Sequence, residues 1–228
     1  MPVNKEKYKE IISELESQKT ILVAVSKTKP VEDIQELYDL GHRDFGENYV
    51  QELVDKEAQL AKDIRWHFIG HLQSNKVKYI APFVSLIHGV DSIKLLTEIN
   101  KQAAKNNRTI DCLLQIHIAQ EETKFGLDEE ELKALLTRIC TNENEWKDIH
   151  IKGLMGMASF TEDMDKVRRE FQYLKTLFDT HAKLQTSNIK LQTLSIGMSS
   201  DYKIAIEEGS TMVRIGSLLF GERNYHSN

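Results

Sequence analysis

The stretch Ile21-Leu22-Val23-Ala24-Val25-Ser26-Lys27-Thr28-Lys29-Pro30 decides the fold. Its first five residues are all apolar, and its polar end contains no glycine. A continuous apolar run of this length suits a strand buried on both faces, as in a parallel sheet covered by helices. Similar runs follow. Arg43–Phe45, Trp66–Ile69, Val84–His88, Cys112–Ile118, Ile151–Met155, Leu191–Ser195 and Met212–Ile215 read as further strands. Helical spacing separates them. Leu132, Leu135, Leu136 and Ile139 form one apolar stripe, preceded by Asp128 and Glu131 at capping-box spacing. Val167, Phe171, Leu174 and Phe178 form a second stripe, and Ile93, Leu96, Ile99 and Ala103 a third. Tyr8, Ile11, Ile12 and Leu15 add a helix ahead of the first strand. Eight β-then-α units predict a closed (β/α)8 TIM barrel with an extra N-terminal helix. The competing arrangement, an open doubly wound sheet, usually carries a Gly-rich turn after its first strand. Ser26–Pro30 offers none.

The chain has 228 residues, with three prolines and no Ser/Gly linker or low-complexity tract. Residues 1–228 are therefore expected to form a single barrel domain. The net charge of -5 argues against a nucleic-acid or anionic membrane partner, because either would repel it. Two cysteines, Cys112 and Cys140, make no disulfide framework and fit a reducing compartment. Met1–Glu10 is charged and lacks the apolar core of a signal peptide. No apolar run approaches the roughly 20 residues that span a bilayer. A soluble, cytoplasmic protein is expected.

In such barrels the chemistry sits at the C-terminal ends of the strands. Gly46, Gly70, Gly89, Gly156, Gly197 and Gly216 cluster there. Positive-φ turns account for most of them, while Gly216 is read as a close approach of backbone to a ligand. Lys27 follows the end of the first strand, read as Ile21–Ser26. In an apolar mouth its pKa falls and the neutral amine can attack a carbonyl; the competing reading is a snorkelling rim lysine. After the strand ending at Ser195, a turn through Gly197-Met198-Ser199-Ser200 leads into a helix from Asp201. Hydroxyls and free N–H groups at a helix start suit an anion, and phosphate sites in barrels often use the loops after strands seven and eight. A plain N-cap is the alternative. Arg214 lies inside an apolar strand and needs a partner. A phosphate, a carboxylate or a ring nitrogen would serve, with a structural ion pair as competitor. Gly216 and Ser217 add an N–H and a hydroxyl. His67 and His71 read as core or rim histidines, since zinc wants three or four ligands at defined spacing. Trp66 reads as packing.

Longer motifs carry a resemblance. Ala24-Val25-Ser26-Lys27-Thr28-Lys29-Pro30, Phe45-Gly46-Glu47-Asn48-Tyr49-Val50-Gln51-Glu52, Trp66 through Lys76, Gly153-Leu154-Met155 and Gly209 through Gly216 resemble the pyridoxal phosphate homeostasis proteins, the YggS/PROSC family. The likeness runs from about Ile21 to Arg223. It implies a barrel similar to the N-terminal domain of alanine racemase, the fold-type III class of proteins that use pyridoxal 5′-phosphate (PLP). It further implies that Lys27 carries PLP as an internal Schiff base and that Arg214 faces the pyridine nitrogen. Ser199, Ser200, Gly216 and Ser217 match the phosphate-binding positions, and Asn48 borders the ring. The family is known for binding PLP and for balancing vitamin B6 and amino-acid pools, with no established reaction.

PLP presents an aldehyde, a ring nitrogen and a phosphate, and the sequence supplies a group for each. An arginine only donates, so the ring nitrogen stays unprotonated and the ring is a weak electron sink. Transamination and decarboxylation are disfavoured. The preferred reading is a monomeric PLP carrier without catalytic residues, handing its cargo to apo PLP-dependent enzymes. The alternative is an amino-acid racemase, which needs acid/base groups on both faces of the substrate carbon. The two-domain racemases take the second base, a tyrosine, from an added β-domain, for which a chain ending at Asn228 leaves no room. Tyr49, Tyr202 and Tyr225 are the remaining candidates. A third reading drops PLP for a class I-type aldolase or a sugar-phosphate isomerase using Lys27 and the same phosphate cup.

Overall fold

The computed structural model describes residues 3–119 and 125–221. Strands and helices alternate in the order α1 (Lys5–Ser17), β1 (Ile21–Val25), α2 (Val31–Asp39), β2 (Asp44–Glu47), α3 (Val50–Gln59), β3 (Arg65–Phe68), α4 (Val77–Ile80), β4 (Leu86–Val90), α5 (Ile93–Lys105), β5 (Ile110–Gln115), α6 (Glu129–Thr141), β6 (Ile149–Met155), α7 (Met164–His181), β7 (Ile189–Ser195), α8 (Tyr202–Glu207), β8 (Met212–Ile215) and α9 (Ser217–Phe220). The strands pair in sequence order into a closed parallel barrel, and β1 meets β8 with Val23 opposite Arg214. The (β/α)8 expectation holds, with α1 as the extra helix. The capping box at Asp128 and Glu131 starts α6 as read. No described helix is long and apolar enough to cross a membrane.

Two apolar layers hold the barrel. The larger lies between strands and helices and includes Phe45, Trp66, Phe68, Phe171 and Phe220. The smaller joins Val23, Leu86, Leu113, Met155 and Met212. These come from five strands of a closed ring, so they meet inside it. The interior is not apolar throughout: His67, His88, Ser195 and Arg214 are also buried there. Alternation across each strand explains this, because successive side chains point to opposite faces.

The glycines correct the sequence expectation. Of the six near strand ends, only Gly197 has a positive φ, at +96°. Gly46 and Gly89 lie within β2 and β4 rather than after them. Gly70 and Gly89 instead let backbone meet backbone. A Cβ on Gly70 would stand 2.3 Å from the Asn48 carbonyl oxygen, and one on Gly89 2.8 Å from the Gly70 carbonyl oxygen. The loops after β2 and β3 and the end of β4 are stacked through these contacts. His42 plays a different packing role. It lies edge-on to both Tyr8 and Phe45 and donates through Nε2 to the Asp44 carbonyl at 2.8 Å. That arrangement seats α1 against β2.

Gly70→Ala is expected to cost about 3 kcal/mol in urea unfolding, because the new methyl meets fixed backbone. Gly156→Ala, which meets the ends of Leu174 and Ile118 side chains, should cost roughly 1 kcal/mol. Burial lowers the His42 pKa to about 4. A folded value below the unfolded one, about 6.5, means the fold favours the neutral ring. His42 therefore stabilises fully above that pH, and the contribution, roughly 3 kcal/mol, is lost as pH falls to 4. The wild-type protein should lose that much more stability over this window than His42→Gln.

Candidate functional site

All seven residues singled out from the sequence line one cavity of about 480 Å³ at the C-terminal mouth of the barrel: Lys27, Asn48, Ser199, Ser200, Arg214, Gly216 and Ser217. Ile69, Met157, Met198, Phe160, Leu218 and Lys29 complete much of the wall. The Lys29 ammonium donates to the Phe220 carbonyl at 2.6 Å, tying the turn after β1 to α9.

Lys27 is half-buried rather than enclosed. The turn that carries it is held from below. Thr28 has φ +63°, a strained setting for a β-branched residue. Its N–H donates to Glu52 Oε1 at 2.5 Å. Lys56, 5% exposed, donates to the Ser26 carbonyl at 2.8 Å, to Glu47 Oε1 at 2.7 Å and to Glu52 Oε1 at 2.6 Å. The Ser26 hydroxyl donates to the same Glu47 oxygen at 2.7 Å. Burial pushes the Glu47 carboxyl up, against the pull of Lys56 and Ser26. A buried ammonium and two carboxylates thus lock Ser26 and Thr28 on either side of Lys27. The sequence shows Glu52 and Lys56 at i, i+4 spacing, which reads as an ordinary surface pair; nothing local marks them as buried.

Arg214 meets none of the partners expected of it within the protein. Its Nη1 donates to the Ser195 carbonyl at 2.8 Å and to Ser195 Oγ at 2.7 Å, and its Nη2 to the Gly156 carbonyl at 3.0 Å. Burial lowers its pKa to about 10, with Asp201 opposing, so it is cationic at neutral pH. The structural ion pair is replaced by backbone and hydroxyl acceptors. Three of its five N–H groups are so used, and the rest have no recorded acceptor among the described residues.

The turn through Gly197-Met198-Ser199-Ser200 also differs from the expectation of free N–H groups. Asp201 Oδ1 accepts from the Met198 N–H at 2.5 Å, and the Gly216 N–H donates to Ser199 Oγ at 3.2 Å. Asp201 precedes α8 but makes no side-chain bond to the helix N–H groups, so it is not a plain N-cap. Burial raises the Asp201 carboxyl. Ser199 is half-buried, and Ser200 and Ser217 are exposed. Asn48 contributes the clearest demand for a ligand: its Oδ1 is buried without a hydrogen-bond partner, a condition that costs free energy until a donor arrives.

His67 is a core residue and Trp66 packs in the outer layer, as read. His71 is a rim residue, 3.4 Å from Asp91 Oδ2 and stacked on Phe125. Neither remaining tyrosine candidate lines the cavity. Tyr49 is 60% exposed, and the Tyr202 hydroxyl donates to Glu14 on α1 at 3.0 Å. Tyr225 lies outside the described residues. Both Cys112 and Cys140 are unpaired.

A closed parallel barrel of eight strands with helices between them is the fold of the alanine racemase N-terminal domain, whose family model matches residues 5–224. The solved alanine racemase of Streptomyces coelicolor shares that fold, with a TM-score of 0.72 at 13% identity over 92% of this chain and 56% of its own. A nearer likeness is the pyridoxal phosphate homeostasis protein of Aquifex aeolicus, 46% identical over 90% of this chain and 87% of its own length. The corresponding protein of Escherichia coli K12 is 38% identical over 90% and 86%. PipY of Synechococcus elongatus, solved with PLP bound, superposes with a TM-score of 0.81 at 34% identity, covering 93% of this chain and 99% of its own. The chain belongs to the pyridoxal phosphate homeostasis protein family.

Lys56→Met leaves the buried Glu47 charge uncompensated and is expected to cost about 3–5 kcal/mol in denaturant unfolding. Adding Glu47→Gln should recover much of that loss, because the two side chains share one network.

Proposed function

We propose that the cavity binds pyridoxal 5′-phosphate on Lys27 and that the protein acts as a cytoplasmic, monomeric carrier, with residues 1–228 as one domain. In this reading it supplies apo PLP-dependent enzymes and balances vitamin B6 and amino-acid pools without catalytic turnover. One observation carries it: an amine, a cationic donor and a cluster of hydroxyls line a single cavity at the mouth of the barrel. The names of the relatives and the PLP bound to PipY support it.

The residues fit the cofactor. PLP supplies an aldehyde that condenses reversibly with an amine, and a ring able to accept electrons. Lys27 provides the amine of the Schiff base. Ser199, Ser200, Gly216 and Ser217 hold the phosphate through hydroxyls and backbone. Asn48 turns a buried acceptor toward the ring. Arg214 faces the ring nitrogen as a donor and keeps it unprotonated, which weakens the ring as an electron sink.

Carriage is favoured over racemisation by what surrounds Lys27. Among the described residues the cavity wall holds no imidazole, phenol, carboxylate or thiol. A second base on the opposite face of a substrate carbon is what racemisation requires. An aldolase or isomerase using Lys27 without PLP would leave the purified protein colourless, whereas the carrier should be yellow.

Titration of the apo-protein with PLP, borohydride reduction and peptide mapping should place the label on Lys27, and Lys27→Ala should abolish it. A reduced variant labelled at another lysine would refute the assignment. Free amino acids should not be racemised; turnover of about 1 per second, an ordinary enzyme rate, would overturn the carrier reading.

A further inference from the structure

Behind Arg214 runs a chain of buried polar side chains that the cavity itself does not use. Arg214 Nη1 lies 2.7 Å from Ser195 Oγ. Ser195 Oγ lies 3.2 Å from His88 Nδ1, and His88 Nε2 lies 2.9 Å from His67 Nδ1. His67 Nε2 reaches Asp44 Oδ1 at 3.1 Å. Asp44 closes the far end in a two-bond pair with Arg65, at 2.7 and 2.5 Å. The chain crosses the barrel from β8 through β7, β4 and β3 to the first residue of β2. His88 and Ser195 are wholly buried, and His67 is 4% exposed.

Its proton order is fixed from both ends. A guanidinium can only donate, and an ionised carboxylate can only accept. Ser195 Oγ accepts from Arg214, so its single proton is available for His88 Nδ1. A neutral His88 then carries its proton on Nε2 and donates to His67 Nδ1. A neutral His67 must in turn hold its proton on Nε2, where Asp44 accepts it. With both imidazoles neutral every link points the same way, and reversing the inner links would need a doubly protonated His67 beside Asp44. Burial above all holds His88 far below the usual imidazole pKa. Burial works against the Asp44 carboxylate, but hydrogen bonds from Arg65 and His67 outweigh it and hold its pKa low.

We propose that Asp44, His67, His88 and Ser195 are positioning residues for Arg214, forming a hydrogen-bond chain of one polarity that locks the guanidinium as a fixed donor toward the cavity. The aligned dipoles carry the attraction of the Asp44 carboxylate across the interior. The two Nη1 bonds to Ser195 and the Nη2 bond to Gly156 set the plane of the guanidinium. Its remaining N–H groups are then aimed without further ordering when a ring nitrogen arrives. The ligand's identity rests on the PLP reading above, whereas the chain is a property of the ligand-free protein.

The two are tested separately. Ring 15N shifts of the ligand-free protein should show both His67 and His88 as Nε2–H tautomers. A Nδ1–H tautomer at either residue, or a doubly protonated His88 at neutral pH, overturns the chain whether or not PLP binds. Ser195→Ala should convert part of His88 to the Nδ1–H tautomer. It should also weaken PLP binding about tenfold, the size of one lost charge-assisted hydrogen bond, and shift the bound-cofactor absorption. Lys27 should still be labelled at saturation. Ser195→Thr, which keeps the hydroxyl, should restore tautomer, affinity and spectrum. Ser195→Ala with affinity within about twofold and an unchanged spectrum overturns the positioning role. Wild-type protein that takes no PLP label, with both histidines in the stated tautomers, sinks the cofactor reading and leaves the chain standing.

Discussion

A guanidinium cannot shed its charge, and inside a closed β-barrel it has little access to water. That constraint organises the heart of this molecule. Arg214 is 5% exposed, and a bare cation at that depth would cost several kcal/mol. The protein answers with two carbonyls, a hydroxyl and a line of imidazoles that ends on a carboxylate. The answer draws on five of the eight strands and on Gly156, just after β6. It is also why the barrel interior is polar above its small apolar layer, and why β7 must place Ser195 next to β8. A smaller or fully apolar residue at any of these positions would leave an interior donor or acceptor without a partner.

A second buried charge pair performs the matching service for Lys27. The first strand alone would end in a loose polar turn. Glu47 and Lys56 give that turn a floor, and Glu52 takes the strained Thr28 N–H. The two systems share no residue but meet on β2, which carries Asp44 of one and Glu47 of the other. Rigid support behind adaptable contacts is what a site needs if ligand affinity is not to be spent on ordering the protein.

Much of the fold was legible because strand burial leaves a continuous apolar run. Every strand was found, and β8 was placed at Met212–Ile215 without error. The errors have local causes. The fifth apolar run spans Cys112–Ile118, but the sheet takes Ile110–Gln115; Ile116 is apolar and pairs separately with Leu127. The fourth was started at Val84, which is buried yet precedes the strand. Gly89 reads as a turn because glycine tolerates positive φ, while in the structure it lies within β4 and admits the Gly70 carbonyl. The cavity-lining residues were found from the ends of strands and from family motifs. The supporting residues were not. His67, His88, Ser195 and Asp44 stand on four strands, and sequence spacing records which face a residue takes but not which distant residue it meets across a ring.

The closure of the ring has one more consequence. Lys27 follows β1 and Arg214 lies in β8, and those strands are hydrogen-bonded neighbours through Ile21–Ala24 and Met212–Ile215. The pocket therefore exists only after the two ends of the barrel sequence have met. On the ribosome, a chain emerged as far as β7 is an open sheet with two unpaired edges, the form most exposed to wrong pairing. Joining elements so distant along the chain is slow relative to local folding. Cofactor loading is thus confined to the completed barrel, and a ligand that bridges the first and last strands would act as a clasp on the seam.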